Sequence, residues 1–325
     1  MKKFFALLLS LCLIVSLGML PSTVLAENAA AIRLGGLKGP TTMGMVKLLE
    51  DSEKGLTATP YEFTMAGSAD ELTPKLLKGE LDILAVPANL GSILYNNTDG
   101  AVQMLAINAL GVMYICEKGG NTIKSIEDLK GQTIYSTGKG STPEFVLSYL
   151  LSQHGLTMDT DVKMEWTSEP TETVANLATK EHAVAMLPQP FVTVAQAQVE
   201  GLSVALDLNK EWEALEGDSL LVTASLIARK AFVEENPEAV AQFLQEYQAS
   251  AEWINANVEE GAKLVEKYGI VKAPIAQKAI PACNIVCISG ADMKAATQGY
   301  FEVLFAQKPE AVGGKLPSDD FYYAK

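Results

Sequence analysis

The sequence has 325 residues, of which 25 are lysine or arginine and 39 are aspartate or glutamate, and its net charge at pH 7 is −14. An acidic chain is repelled by phosphate backbones, so this composition argues against a nucleic-acid partner. The length exceeds what a single hydrophobic core usually supports, and we expect two lobes. Two histidines and four cysteines show no metal-ligand spacing, so we expect no metal and no cofactor.

Residues 1–26 have the pattern of a secretory signal peptide. Two lysines precede a long apolar run, and small residues follow it just before the predicted cleavage after Ala26. We therefore expect an exported protein, periplasmic or associated with the cell envelope. An uncleaved membrane anchor is the alternative, because the apolar run from Phe4 to Leu20 approaches the length of a membrane-spanning helix.

The segment from Ile32 to Glu50, IRLGGLKGPTTMGMVKLLE, predicts a strand, a glycine turn and a helix. Pro40 suits the first turn of a helix, where its missing N–H costs nothing. Lys38, Thr41 and Thr42 would then place an ammonium and two hydroxyls beside unpaired backbone N–H groups. We predict that these four residues form one wall of a pocket for a small polar or anionic ligand. An ordinary turn without a ligand is the alternative.

Two more strand–turn–helix units follow. Tyr61 to Met65 predicts a strand, and Ser68 then has the capping-box spacing to Glu71. Leu81 to Val86 predicts a strand buried on both faces. Three such units in succession predict an α/β fold with a mostly parallel sheet flanked by helices. Ligands bind at the carboxyl ends of such strands, so we add the turn residues to the predicted site: Gly67, Ser68, Pro87, Ala88 and Asn89.

The apolar stretch from Val102 to Cys116 is long enough for one strand to leave the first lobe and another to enter the second. A predicted strand from Thr133 to Tyr135 precedes the turn Thr137 to Pro143, which repeats the opening chemistry of glycines, a lysine, hydroxyls and a proline. This turn contributes a second group of predicted ligand residues: Gly138, Lys139, Gly140 and Ser141. Two lobes that each present a helix N-terminus and a lysine would form a two-sided clamp.

The second lobe ends with another strand and turn. Ala183 to Leu187 predicts a strand, and Gln189 in the following turn completes the predicted site. Any of these turn residues could instead cap a helix or close a turn. Tyr135 and Trp166 could stack on a ring, although core packing is the favoured interpretation.

The order of these motifs resembles the solute-binding proteins of ABC importers, in particular the nitrate/sulfonate/taurine and thiamine-precursor group. The matching segments are GGLKGPTTMGMVKLL, LKGELDILAVPANLGS, the stretch from SIEDLKGQTI to STPEFVLSYLLSQHGL, and VAMLPQPFVTVAQ. The resemblance implies a two-lobed periplasmic-binding-protein type II fold with the ligand in the interlobe cleft. It places the first lobe at 27–110 and 216–325 and the second at 111–215. Gln189 stands where the group often has a glutamate, which weakens the case for a cationic ligand.

The resemblance implies a protein that captures a small solute and delivers it to an ABC transporter permease and its ATPase. We expect a monomer without enzymatic activity, because the strand-end turns offer no nucleophile paired with a base. An enzyme on the same fold, of the pyrimidine-precursor or menaquinone-pathway type, and a surface sensor without transport remain alternatives. The lysines and helix ends favour an oxyanion, whereas the amides of Gln189 and Asn89 would suit a neutral heterocycle.

Overall fold

The computed structural model describes residues 30–216 and 220–324. The predicted signal peptide lies outside this range. Within it, no helix is both long and apolar enough to cross a bilayer. The strands are β1 Ile32–Leu37, β2 Tyr61–Ala66, β3 Ile83–Pro87, β4 Val102–Leu110, β5 Met113–Lys118, β6 Thr133–Ser136, β7 Lys163–Trp166, β8 Ala183–Pro188, β9 Leu202–Asp207, β10 Val222–Arg229 and β11 Ile285–Ser289.

The strands form two sheets. The first has the order β11-β4-β10-β3-β1-β2, and the second has the order β7-β6-β8-β5-β9. In the first sheet, β10 and β11 run in the opposite direction to the other four strands. In the second sheet, β5 alone runs in the opposite direction to the other four strands. The prediction of a two-lobed α/β fold with a sheet in each lobe is therefore confirmed. The sheets are mixed and not mostly parallel: β1 pairs in parallel with β2 and β3, β6 pairs in parallel with β7 and β8, and the other neighbouring pairs are antiparallel. The antiparallel members include β5, which enters the second sheet, and β10, which returns to the first.

Helices cover the faces of both sheets. They are α1 Pro40–Met43, α2 Val46–Glu53, α3 Ala69–Leu77, α4 Ala88–Asn97, α5 Thr142–Gln153, α6 Pro170–Ala178, α7 Phe191–Gln198, α8 Leu208–Glu216, α9 Lys230–Glu235, α10 Pro237–Ala256, α11 Val258–Lys267, α12 Ala273–Ala279 and α13 Gly290–Gln307. Four short 3₁₀ segments lie at 126–129, 280–282, 309–312 and 319–321.

The chain passes from the first sheet to the second between β4 and β5, across Gly111 and Val112. It returns between α8 and β10, and this return includes residues 217–219, which lie outside the described range. This distribution of strands is compatible with the predicted lobe limits, which are 27–110 and 216–325 for the first lobe and 111–215 for the second. The exact limits stay a prediction.

The two lobes also pack against each other through aromatic side chains. Trp212 of α8 is fully buried, with its ring centre 5.2 Å from that of Tyr149 in α5 and 5.6 Å from that of Tyr300 in α13. Tilted ring pairs of this kind add stability beyond the apolar area they bury. Helix α13 therefore bridges from its own sheet to the helices of the second lobe.

Candidate functional site

A cavity of about 440 Å³ lies between the two sheets, at the strand ends. Its walls include the turns after β1, β2 and β3 in the first sheet and after β6, β7 and β8 in the second. The strands within each of these sets run in one direction, so their carboxyl ends meet at one edge of each sheet. This is the location where open α/β sheets bind ligands.

Ten of the fourteen residues predicted from the sequence line this cavity: Lys38, Pro40, Thr41, Gly67, Ser68, Pro87, Gly138, Lys139, Gly140 and Ser141. The structure thus brings together two groups whose members are about 50 to 100 residues apart in the sequence. Their contact with a ligand stays a prediction.

The other four predicted residues, Thr42, Ala88, Asn89 and Gln189, do not line the cavity. The Thr42 hydroxyl is buried and donates to the Leu37 carbonyl at 2.6 Å. The Gln189 Oε1 accepts from the Thr193 hydroxyl at 2.9 Å. Asn89 is fully buried in internal hydrogen bonds, and Ala88 is buried in the first turn of α4. The Thr42 hydroxyl, the Asn89 amide and the Gln189 Oε1 therefore form hydrogen bonds within the protein.

Helices α3, α5 and α6 begin at the cavity wall, with Ala69, Thr142 and Pro170 as their first residues. The first-turn N–H groups of a helix lack intrahelical partners and carry partial positive charge. Their convergence favours a ligand with negative charge or hydrogen-bond acceptors.

Glutamates three residues after each helix cap hold the loops that precede these helices. Glu71 accepts from the Ser68 N–H at 3.3 Å, Glu172 from the Ser168 N–H at 3.0 Å and Glu144 from the Gly140 N–H at 2.5 Å. The loops are thereby fixed in position. These carboxylates also lower the positive potential around the cavity, so an anion there would need the lysines.

Lys38 and Lys139 line opposite walls of the cavity, and both side chains are exposed. Neither forms an ion pair with another residue in the described part of the chain. Asp70 is the single carboxylate among the described lining residues. These two ammonium groups are the cations of the described cavity wall, and they lie in the same region as Asp70 and the capping carboxylates of Glu71, Glu144 and Glu172.

The apolar part of the wall is aliphatic. Leu37, Leu90 and Val112 line it together with five prolines, and no aromatic ring occurs among the described lining residues. Tyr135 instead lies under the Lys180 ammonium, 4.9 Å from the ring centre, and lines a separate surface cavity. The site therefore offers no surface for stacking, which disfavours a heterocyclic ligand.

Sequence reasoning missed Thr167 and Ser168, which line the cavity after β7. Ser168 precedes Glu172 by four residues and the proline that opens α6 by two, so helix-start signals could have indicated this turn. Thr223 lines the cavity from β10, at a shift in its register with β4. Its Oγ1 is buried without a hydrogen-bond partner in the described structure, and no local sequence pattern marks it.

Replacing Thr42 with valine is expected to lower the free energy of unfolding by about 1 kcal/mol, the usual value of one hydrogen bond. Its hydroxyl pins the turn to Leu37, and a Cβ at Gly36 would clash with it, so the two residues fit each other. Urea denaturation would measure the change. Thr41→Val is the matched comparison, because it removes a longer hydrogen bond of 3.0 Å to the same carbonyl. It should lower the free energy of unfolding by no more than the Thr42 variant does. Unchanged stability of the Thr42 variant would contradict this role.

Two lobes that meet around a cavity at their strand ends define a two-lobed ligand-binding fold. The model of the NMT1-like family matches residues 40–267, and the chain belongs to this family. The resemblance seen in the sequence motifs is therefore confirmed.

Known proteins similar to this chain agree with that assignment. A putative binding protein of Brucella abortus (strain 2308) is 27% identical over 267 residues, which cover 79% of this chain and 77% of the relative. An ABC transporter structure from Parabacteroides distasonis has a TM-score of 0.76 and 23% identity to this chain. The match covers 91% of this chain and 99% of the Parabacteroides chain. The periplasmic aliphatic sulphonate binding protein SsuA from Escherichia coli has a TM-score of 0.71 and 17% identity, covering 90% and 92%. These structural similarities establish the fold.

Proposed function

We propose that this protein is an exported solute-binding protein that captures a small anionic solute in the interlobe cavity and delivers it to an ABC importer. The observation that carries the proposal is the pair Lys38 and Lys139, which face one cavity from two lobes without ion-pair partners in the described structure. The names of the similar proteins, an ABC transporter and sulphonate-binding proteins, support the same class.

The ligand we propose is a short aliphatic oxyanion, such as a sulfonate or a carboxylate. The charged head would lie among the lysines and the first-turn N–H groups of α3 and α5, where charge-assisted hydrogen bonds are strongest. The aliphatic tail would lie against Leu37, Leu90 and Val112. The volume of about 440 Å³ is within the range for sites of small molecules.

A permease and its ATPase are the proposed partners, and the proposed site of action is the periplasm or the cell envelope. We propose a monomer that carries out no chemistry on the solute. The described cavity wall contains no histidine or cysteine that could pair with a nucleophile as its base, and the contact of the Ser68 hydroxyl with Glu71 at 3.4 Å belongs to the capping box of α3. General acid–base or nucleophilic catalysis needs such a pair.

Calorimetric titration with ethanesulfonate, butyrate and cytosine tests the proposal. We expect at least one of the two anions to bind at one site per chain, and we expect its affinity to fall with added salt because both lysines are exposed. Chromatography after prolonged incubation should return the anion unchanged. Binding of cytosine without binding of either anion would contradict the proposed ligand class, and turnover of a bound anion would contradict the binding-only role.

A further inference from the structure

A buried chain of hydrogen bonds connects the lobes beside the cavity. Asn89, in the first turn of α4, belongs to the first lobe, and Thr142, the first residue of α5, belongs to the second. The Thr142 hydroxyl donates to Asn89 Oδ1 at 3.0 Å. The Tyr300 hydroxyl of α13 donates to the same Thr142 oxygen at 3.4 Å. All three side chains are fully buried.

The surroundings fix the orientation of the amide. Asn89 Nδ2 donates at 3.1 Å to the backbone carbonyl of Ala311, which can only accept. The other amide atom, Oδ1, is therefore the one directed at Thr142. The Thr142 hydroxyl thus donates once and accepts once, and both of its partners belong to elements of the first lobe. Thr142 itself lines the cavity, together with its neighbours Ser141 and Pro143.

We infer that Asn89, Thr142 and Tyr300 form an interlobe clasp that holds the N-terminus of α5 in its binding position and stabilises the closed arrangement of the lobes; this role rests on the proposed solute-binding function. The hydrogen bond between the Thr142 hydroxyl and Asn89 Oδ1 can form only while the lobes are closed. When the lobes separate, water can replace both partners. The clasp therefore stabilises the closed state and not the open one. Such a difference in free energy raises the population of the closed state and the apparent affinity for the solute.

A second contact at the rim agrees with a closed arrangement. Glu169, the residue before α6, reaches toward Gly67 in the first lobe. A Cβ added at Gly67 would lie 2.8 Å from Glu169 Oε1. The lobes are thus in contact both at the exposed rim and at the buried clasp. The clasp excludes water, so its loss has the larger expected effect.

Thr142→Val keeps the shape of the side chain, removes the hydroxyl and leaves Asn89 Oδ1 buried without a donor when the lobes close. We expect a larger radius of gyration by small-angle X-ray scattering in buffer without solute, and about tenfold weaker binding of ethanesulfonate. Thr142→Ser keeps the hydroxyl and should behave as the original protein. Thr297→Val is the matched control, because it removes an equally buried hydroxyl whose contacts, with the Met293 carbonyl in α13 and the Met104 sulfur in β4, both lie within the first lobe.

The outcomes separate the clasp from the proposed function. Identical scattering curves for Thr142→Val and the original protein would overturn the clasp, whatever the protein binds. Expansion of Thr142→Val alone would support it, even if the original protein failed to bind ethanesulfonate and the proposed ligand were thereby refuted. Equal expansion of Thr297→Val would show a general loss of packing and would also overturn the clasp. If Thr142→Val fails to fold, Tyr300→Phe supplies the same comparison with a smaller expected expansion.

Discussion

Replacing Asp82 with asparagine is expected to lower the free energy of unfolding by about 3 kcal/mol, since breaking a buried ion pair leaves its partners unsatisfied. The Asp82 side chain is 3% exposed and accepts four hydrogen bonds. Three come from Arg33 in β1, at 3.0, 2.9 and 2.6 Å, and one comes from Arg229 in β10, at 2.7 Å. The carboxylate precedes β3, so it ties together three neighbouring strands of the first sheet.

This effect should depend on pH in a defined direction. Burial disfavours the charge on Asp82, but the hydrogen bonds from Arg33 and Arg229 outweigh burial and lower the pKa of the carboxyl. The contribution of Asp82 to the free energy of unfolding is therefore complete above the unfolded-state pKa of about 3.9. It is lost as the pH falls through the lower folded-state pKa. The difference between Asp82→Asn and the original protein should shrink as the pH drops below about 4.

Urea denaturation across this pH range measures both effects. Asp51→Asn is the matched control, because Asp51 pairs with Lys47 within one helix and its side chain is 26% exposed. We expect the control to change stability by about 0.5 kcal/mol or less. If Asp82→Asn were as mild as Asp51→Asn, the buried carboxylate would not be holding the first sheet.

The double variant Lys38→Ala with Lys139→Ala is expected to weaken ethanesulfonate binding by roughly one to two orders of magnitude. This is the effect expected if each lysine donates one charge-assisted hydrogen bond to the anion. Each lysine comes from a different lobe, so either single variant should retain part of the affinity. The loss should become smaller at high salt, which screens exposed charges. Calorimetry at two salt concentrations would measure it.

A control must separate local contacts from the overall charge of the protein. Lys263→Ala with Lys272→Ala removes the same net charge at exposed positions whose pairs, with Glu259 and Glu266, do not involve the cavity. We expect this control to bind ethanesulfonate with nearly unchanged affinity. An equal loss in both double variants would mean that the cavity lysines act only through the long-range field.

Much of the fold follows from local patterns. The capping-box spacing of Ser68 and Glu71 indicated the cap of α3, although Pro74, which suggested a later start, lies inside the helix. The apolar run from Leu81 to Val86 predicted β3. Because the carboxyl ends of parallel strands share an edge, the turns of both lobes could be assigned to one site before their distance was known. Lys38 and Lys139 were brought together by this rule.

The parts that could not be predicted depend on partners that are distant in the sequence. Asn89 was expected in the site, but its amide donates to Ala311, which lies 222 residues further along the chain. The Thr142 hydroxyl that completes the clasp is 53 residues away from Asn89. Thr223 reaches the cavity through an irregularity in strand pairing, and such shifts leave no composition signal. Local propensity carries no information about such contacts.

The most direct test of the account is a crystal structure of the protein with bromoethanesulfonate, using the anomalous signal of bromine to locate the ligand. We predict a bromine peak inside the interlobe cavity near Leu90 and Val112, with the sulfonate oxygens within hydrogen-bond distance of Lys38 or Lys139 and of the first-turn N–H groups of α3 or α5. A bromine peak on the outer surface, or a cavity without bromine at saturating concentration, would contradict the claim that this cleft binds a small aliphatic anion.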